Sequence, residues 1–229
     1  MMVAGTGKSS VGDRARRILL VDDHPLVREG LAEVLGREID LVVCGEAEDR
    51  QQALELITTT QPHLAIVDLA LKRSNGLELI KDIRVRYPNL PVLVVSMHDE
   101  ALHAERALRA GASGYIAKAE AATQVVQAVR KVLAGGIYLS DLAVARLAAG
   151  AAGRSRAGAG GSVESLCDRE LEVFELVGRG LTTRQIAQQM RLEVTTIETY
   201  RARIKEKLNL KDAAELLQHA IQWNLSRRL

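Results

Sequence analysis

Short apolar runs recur along the first 140 residues, at 18–21, 41–44, 64–67, 92–95 and 114–116. They are rich in Val, Ile and Leu and nearly unbroken. Strict alternation would mark a strand with one wet face, whereas continuous runs this short mark parallel strands covered on both faces. Between them the apolar residues take helical spacing. Val27, Leu31, Val34 and Leu35 make one stripe, Ala53, Leu54 and Ile57 a second, and Leu77, Leu79, Ile80 and Ile83 a third. The last helix carries Val125, Val126, Val129, Val132 and Leu133. Five strand–helix repeats predict a doubly wound α/β domain over 17–139, built on five parallel strands.

Either side of this the pattern changes. Residues 1–16 show no apolar periodicity and are expected to form a disordered leader. Residues 140–165, rich in Ala, Gly, Ser and Arg, are expected to link two domains. Their first part can be helical, but "GAAGRSRAGAGGS" cannot bury a core. From 166 to 229 the pattern is helical throughout, with helices expected near 168–179, 182–190, 195–208 and 212–223. Thr182-x-x-Gln185 and Thr195-x-x-Glu198 have capping-box spacing and are expected to start the second and third. Gly180 suits the turn between the first two. Helices joined by so short a turn predict an all-α four-helix, helix-turn-helix domain.

Composition narrows this only a little. Aromatic residues are 3% of the chain, so aliphatic and Ala side chains must fill the interior. A net charge of +2 excludes a grossly basic nucleic-acid coat but not a local basic patch. Cys44 and Cys167 lie far apart and form no metal-binding pair. No apolar run approaches the ~18 residues of a membrane span, and a long signal-peptide core is missing. A soluble, cytoplasmic protein without membrane partners is expected.

In open α/β sheets ligands sit beyond the carboxyl ends of the strands. Asp22 and Asp23 end the first strand, Asp68 the third and Ser96 the fourth, and Lys118 follows the fifth. Three carboxylates at one rim repel one another, and a hard cation such as Mg²⁺ would relieve them. A carboxylate can also attack phosphorus, with a lysine and a cation steadying the transferred charge. "ILLVDDHPLVREGL", "LAIVDLAL", "VLVVSMHDE" and "ALRAGASGYIAKAEA" resemble the receiver domain of two-component response regulators, in particular the NarL/FixJ subfamily. The resemblance covers about 120 residues and implies a flavodoxin-like fold. It implies Asp68 as phosphoacceptor, and Mg²⁺ (or Mn²⁺) on Asp22, Asp23, Asp68 and the backbone carbonyl of Ala70. It also implies Ser96 and Lys118 as partners of the phosphoryl group and Tyr115 as the aromatic switch. Lys72 stands where the family usually has Pro, which bears on the rigidity of "LKRSNG" and on access of the phosphodonor.

"LCDRELEVFELVGRGLTTRQIAQQMRLEVTTIETYRARIKEKLNL" resembles a LuxR-type helix-turn-helix domain. In its third helix Ile197, Ile204 and Leu208 are expected to face inward, with Tyr200 beside them. The other face offers Thr199, Arg201, Arg203, Lys205 and Lys207, following Thr195 and Thr196, a set suited to a major groove. Thr183 and Arg184 are expected phosphate contacts. Glu198 suits either the capping box and helix dipole or a cytosine amino group. Cys167 stands where the family usually has a capping Thr, leaving Ser165 or Asp168 as substitutes. The resemblance implies a dimer interface on the final helix, for which Ala213, Leu216, Leu217 and Ala220 are candidates.

Of the five histidines, His24 is expected to shape the acidic rim, while His63, His98, His103 and His219 read as surface or packing residues. Together these features predict a transcription factor, not an enzyme beyond assisting its own phosphorylation and dephosphorylation. Its expected partners are paired half-sites of double-stranded promoter DNA, a sensor histidine kinase, a second copy of the chain and RNA polymerase. The rival is a nucleotide-driven switch on "GTGKSS", Gly5 to Ser10. That reading lacks a preceding strand, has Met2 where the first glycine belongs, and leaves Lys8 as a solvated cation. A receiver acting only through protein contacts is the third reading.

Overall fold

The computed structural model describes residues 15–71, 74–97, 100–153 and 163–226. Gly5 to Ser10 with Lys8, Lys72 and Arg73, His98 and the glycine-rich stretch 154–162 lie outside the described residues. The chain divides into two compact units between Ala152 and Gly153.

In the first unit five strands form one parallel sheet: β1 (Arg16–Val21), β2 (Leu41–Ala47), β3 (Leu64–Val67), β6 (Val92–Ser96) and β7 (Gly114–Ala117). Two further short strands, β4 (Ala70–Leu71) and β5 (Ser74–Asn75), form a small antiparallel pair after β3. The sheet order is β2-β1-β3-β6-β7, so the winding direction reverses between β1 and β3. Side chains alternate between two cores. Leu19, Val21, Ala65, Val67, Val94 and Tyr115 meet α2 (Arg50–Thr60), α3 (Gly76–Arg86) and α4 (Glu100–Ala110). Ile18, Leu20, Leu64, Ile66, Leu93 and Ile116 meet α1 (Pro25–Gly36) and α5 (Lys118–Leu133). Continuous apolar strands are what two buried faces require.

Two of the helices begin where the sequence supplies a capping side chain. Asp49 accepts from the amide of Gln52 at 3.0 Å to start α2, and Asn75 accepts from that of Leu77 at 2.7 Å to start α3. α4 has no strong aliphatic stripe; its inward face is His103, Ala104, Ala107 and Ala110. The stretch read as linker from residue 140 opens as a helix, α6 (Asp141–Gly153), favoured by its Ala and Leu content. Ala143 is buried in the first core, the Ser140 hydroxyl accepts from the Ala143 amide, and Glu100 of α4 accepts from the Ser140 amide at 3.0 Å.

The second unit has a 3-10 turn, Val163–Ser165, and four helices: α7 (Asp168–Gly178), α8 (Thr183–Met190), α9 (Val194–Leu208) and α10 (Ala213–Leu225). Leu171, Phe174, Val177, Ile186, Ile197, Ile204, Leu216 and Ala220 are buried. At Gly178 the backbones of α7 and α10 approach so closely that a Cβ would meet the Ala220 carbonyl oxygen at 2.5 Å. Gly180 turns the chain with φ +84°.

The Thr182–Gln185 capping box forms as expected. The Thr195–Glu198 box does not: α9 starts one residue before Thr195, with Glu193 as its N-cap. Thr195 is therefore already helical and cannot cap. Cys167 itself occupies the N-cap of α7, and Glu170 closes the turn by accepting from the Cys167 amide at 2.8 Å. Among the described residues no helix is long and apolar enough to cross a membrane.

Candidate functional site

Val21 and Val67 are partners in the β1–β3 ladder, so the residues that follow them, Asp22 and Asp68, emerge side by side at the reversal point. The amide of Asp68 donates to Val21 at 2.8 Å, and that of Asp22 to Ala47 at 3.0 Å, which locks both backbones. Ligand atoms of Asp22, Asp23, His24 and Asp68 all lie within 4.8 Å of one another. Ser96 closes β6 opposite Ala117, the residue before Lys118. Ser96 and Tyr115 are both fully buried. Ala70 pairs with Asn75 in the small hairpin just past Asp68.

The lysine joins the acids. Lys118 Nζ lies 2.6 Å from Asp22 Oδ2 and 2.6 Å from Asp68 Oδ2, with the three side chains only 6, 4 and 2% exposed. Burial, then the Asp68 charge, raises the pKa of Asp22 above its ordinary value, with Lys118 and the His24 amide opposing. Burial opposes the charge on Lys118, but the two carboxylates outweigh it and hold the ammonium above its usual pKa. Asp68 Oδ1 is buried and, among the described residues, accepts no hydrogen bond. A buried carboxylate oxygen without a donor is costly, so it marks a place for a cation or a ligand donor. Three carboxylates with that orphaned oxygen fit a hard divalent cation. His24 does shape the rim: its amide donates to Asp22 Oδ1 at 2.8 Å, and its Nδ1 lies 2.7 Å from Asp23 Oδ1.

Sequence reasoning missed Arg28, a buried residue of α1 whose Nη1 donates to the Asp22 carbonyl at 2.6 Å. A charged residue on the inward stripe with Leu31 and Leu35 was the available signal. The helical segment holding His103 was also missed as a stripe, because alanines form it.

The second unit presents α9. Thr195, Thr196, Thr199, Tyr200 and Arg203 line one shallow hollow of about 350 Å³ on its surface. Ile197, Ile204 and Leu208 are buried as expected, Glu198 is exposed, and Arg201 and Lys205 are half-buried on the flanks. Thr183 and exposed Arg184 begin α8. Lys207, also in the expected set, has its Nζ 2.6 Å from Glu170 Oε2, a carboxylate buried at the start of α7. On α10, Leu216 and Ala220 are fully buried within their own domain. The expectation that they lie on a dimer face is corrected: a helix packed on one side turns those positions inward. Ala213, Leu217, Ile221 and Leu225 instead follow one another at four-residue spacing on the exposed side.

Comparison with known proteins agrees with both units. The response regulator receiver domain model matches residues 18–130, and the model for bacterial regulatory proteins of the luxR family matches 164–220. The chain is 39% identical over 213 residues to the transcriptional activator protein ExaE of Pseudomonas putida, covering 92% of this chain and 98% of that one. It is 34% identical to the DNA-binding transcriptional activator DevR/DosR of Mycobacterium tuberculosis, covering 92% and 96%. A LuxR-family two-component response regulator from Aurantimonas aligns at TM-score 0.57 and 35% identity over 60% of this chain and 99% of that one. The RcsB response regulator of Salmonella typhimurium shares the fold at TM-score 0.64 and 24% identity over 91% and 98%. With an acid-lined receiver sheet and a helix-turn-helix unit in one chain, this protein belongs to the LuxR-type response regulators, transcription factors with a receiver and a DNA-binding domain.

Proposed function

We propose that Asp68 accepts a phosphoryl group from a phosphohistidine of a sensor kinase, and that this controls binding of the α9 surface to promoter DNA. The carrying observation is the gathering of Asp22, Asp23 and Asp68 within 4.8 Å, with Lys118 2.6 Å from two of them. In the transfer a carboxylate oxygen of Asp68 forms the new O–P bond, the N–P bond of the donor breaks, and the freed imidazole takes up a proton. Asp22, Asp23, Asp68 and the carbonyl of Ala70 would hold Mg²⁺ (or Mn²⁺), which when bound neutralises charge on the phosphoryl oxygens. Lys118, already charged and buried, supplies a second cation to the same oxygens. Ser96 donates its hydroxyl, and Tyr115 fills the space that opens as Ser96 turns.

The receiver also assists its own phosphorylation and hydrolysis, since the groups that steady the transfer are its own. DNA binding rests on Thr195, Thr196, Thr199, Arg201, Arg203 and Lys205 of α9, with Thr183 and Arg184 on phosphates and Glu198 at the groove edge. Lys207 contributes through Glu170. The exposed Ala213–Leu217–Ile221–Leu225 stripe is the surface on which two copies meet, which suits paired half-sites; RcsB dimers bound to DNA are known in a protein of this fold. RNA polymerase is the downstream partner. Asp68→Asn tests the acceptor: it should take no label from acetyl phosphate with Mg²⁺, and labelling at the wild-type rate removes the assignment.

A further inference from the structure

Arg28 lies in α1, where it is 9% exposed. A guanidinium stays charged at any physiological pH, so burial is tolerable only when its donors find acceptors. Nη1 donates to the Asp22 carbonyl oxygen at 2.6 Å, Nε to Glu46 Oε2 at 3.2 Å and Nη2 to Glu48 Oε1 at 3.5 Å. Glu46 stands near the end of β2, and Glu48 is the first residue past it. The Asp22 amide donates to Ala47 between them. The end of β2 thus grips Asp22 twice, at its N–H directly and at its C=O through Arg28. That carbonyl belongs to the peptide joining Asp22 to Asp23, so Arg28 fixes the plane from which the two carboxylates diverge.

We propose that Arg28 is a positioning residue for divalent-cation binding, acting through the Asp22–Asp23 peptide. The inference rests on the reading of Asp22 and Asp23 as cation ligands. Three acceptors at the ends of two neighbouring strands need a planar fork of donors. A lysine ammonium is a single point at the end of a flexible stem, so it serves this arrangement only in part.

The test is calorimetric titration of the full chain with Mn²⁺, together with acetyl phosphate labelling at graded Mg²⁺. Arg28→Ala should raise the Mn²⁺ Kd about tenfold, the scale seen when outer support of a metal ligand is lost. The Mg²⁺ needed for half-maximal labelling should rise in step, with a smaller fall in the maximal rate, and Arg28→Lys should recover only part. If Arg28→Ala does not fold, by its circular dichroism, the Glu46→Met/Glu48→Met pair removes both carboxylate acceptors of the same anchor without opening a cavity and should weaken Mn²⁺ in the same direction. Unchanged Mn²⁺ affinity in whichever of these variants folds overturns the proposal, as does a labelling defect confined to the maximal rate. No Mn²⁺ binding by the unsubstituted chain would remove the ligand reading and this inference with it.

Discussion

The backbone of Gly76 lies against that of Asp68: a Cβ on Gly76 would stand 2.1 Å from the Asp68 carbonyl oxygen and 2.7 Å from the Leu69 Cα. The Gly76 amide also donates to the Leu69 carbonyl at 2.8 Å. Glycine is required here by space, because the start of α3 folds back onto the Asp68–Leu69 backbone. Gly76→Ala should destabilise the first unit by about 1–3 kcal/mol, the usual cost of overpacking, and slow labelling of Asp68. Urea unfolding followed by circular dichroism measures the first effect. Wild-type values in both experiments would mean that the start of α3 gives way freely.

Lys118 holds two buried carboxylates at once. Removing one partner of such a cluster leaves uncompensated charge, at a cost of about 3 kcal/mol or more. Lys118→Ala should therefore lower the melting temperature clearly in EDTA. Added Mg²⁺ should restore part of the loss, since a ligand that binds only the folded state stabilises it. Equal melting of wild type and variant without metal would show that the ammonium is not needed to offset Asp22 and Asp68.

Much of the first unit was legible because its central strands, β1, β3 and β6, are buried on both faces and its acids stand at strand ends, whereas the edge strand β2 leaves Val42 exposed. Residues 18–21 and 64–67, read as apolar runs, fix where Asp22 and Asp68 emerge. α4 was faint because Ala104, Ala107 and Ala110 give little hydrophobic contrast. Leu216 and Ala220 were misplaced because a short amphipathic helix shows which residues are apolar, not which of them its own domain buries. The bond from Arg28 to the Asp22 carbonyl and the pairing of Lys207 with Glu170 depend on tertiary geometry, which residue spacing does not carry.

Glu170 gives the second unit a dependence on pH. Burial works to raise its pKa, but the hydrogen bonds from Lys207 and the Cys167 amide prevail and lower it. A carboxylate whose pKa is lowered by folding adds stability above its unfolded pKa, about 4.3, and loses it as pH falls through the lower folded value. Trp223, the only tryptophan, packs edge-on to Phe174 at 5.5 Å and reports on this unit. Its fluorescence should reveal an acid-sensitive unfolding midpoint. Glu170→Gln should be less stable at pH 7 and flatter below pH 4.3; an identical pH profile would remove the ion pair from the account.

Arg203 and Lys207 are both cations of α9, but only Arg203 lines the exposed hollow. Arg203→Ala should weaken DNA binding and reduce its salt slope by about one. Lys207→Ala should leave the slope nearly intact and lower stability instead. Fluorescence anisotropy on a promoter fragment at several salt concentrations separates them. The reverse assignment would mean that the Glu170 pair opens on DNA.

Charge placed on Asp68 should change what α9 does. The most direct measurement is DNA affinity of the full chain with and without acetyl phosphate and Mg²⁺, for wild type and Asp68→Asn side by side. Phosphorylation should bring a large gain in affinity for wild type and none for Asp68→Asn. Equal affinity in all four conditions, with phosphorylation of the wild type verified by mass, would contradict it.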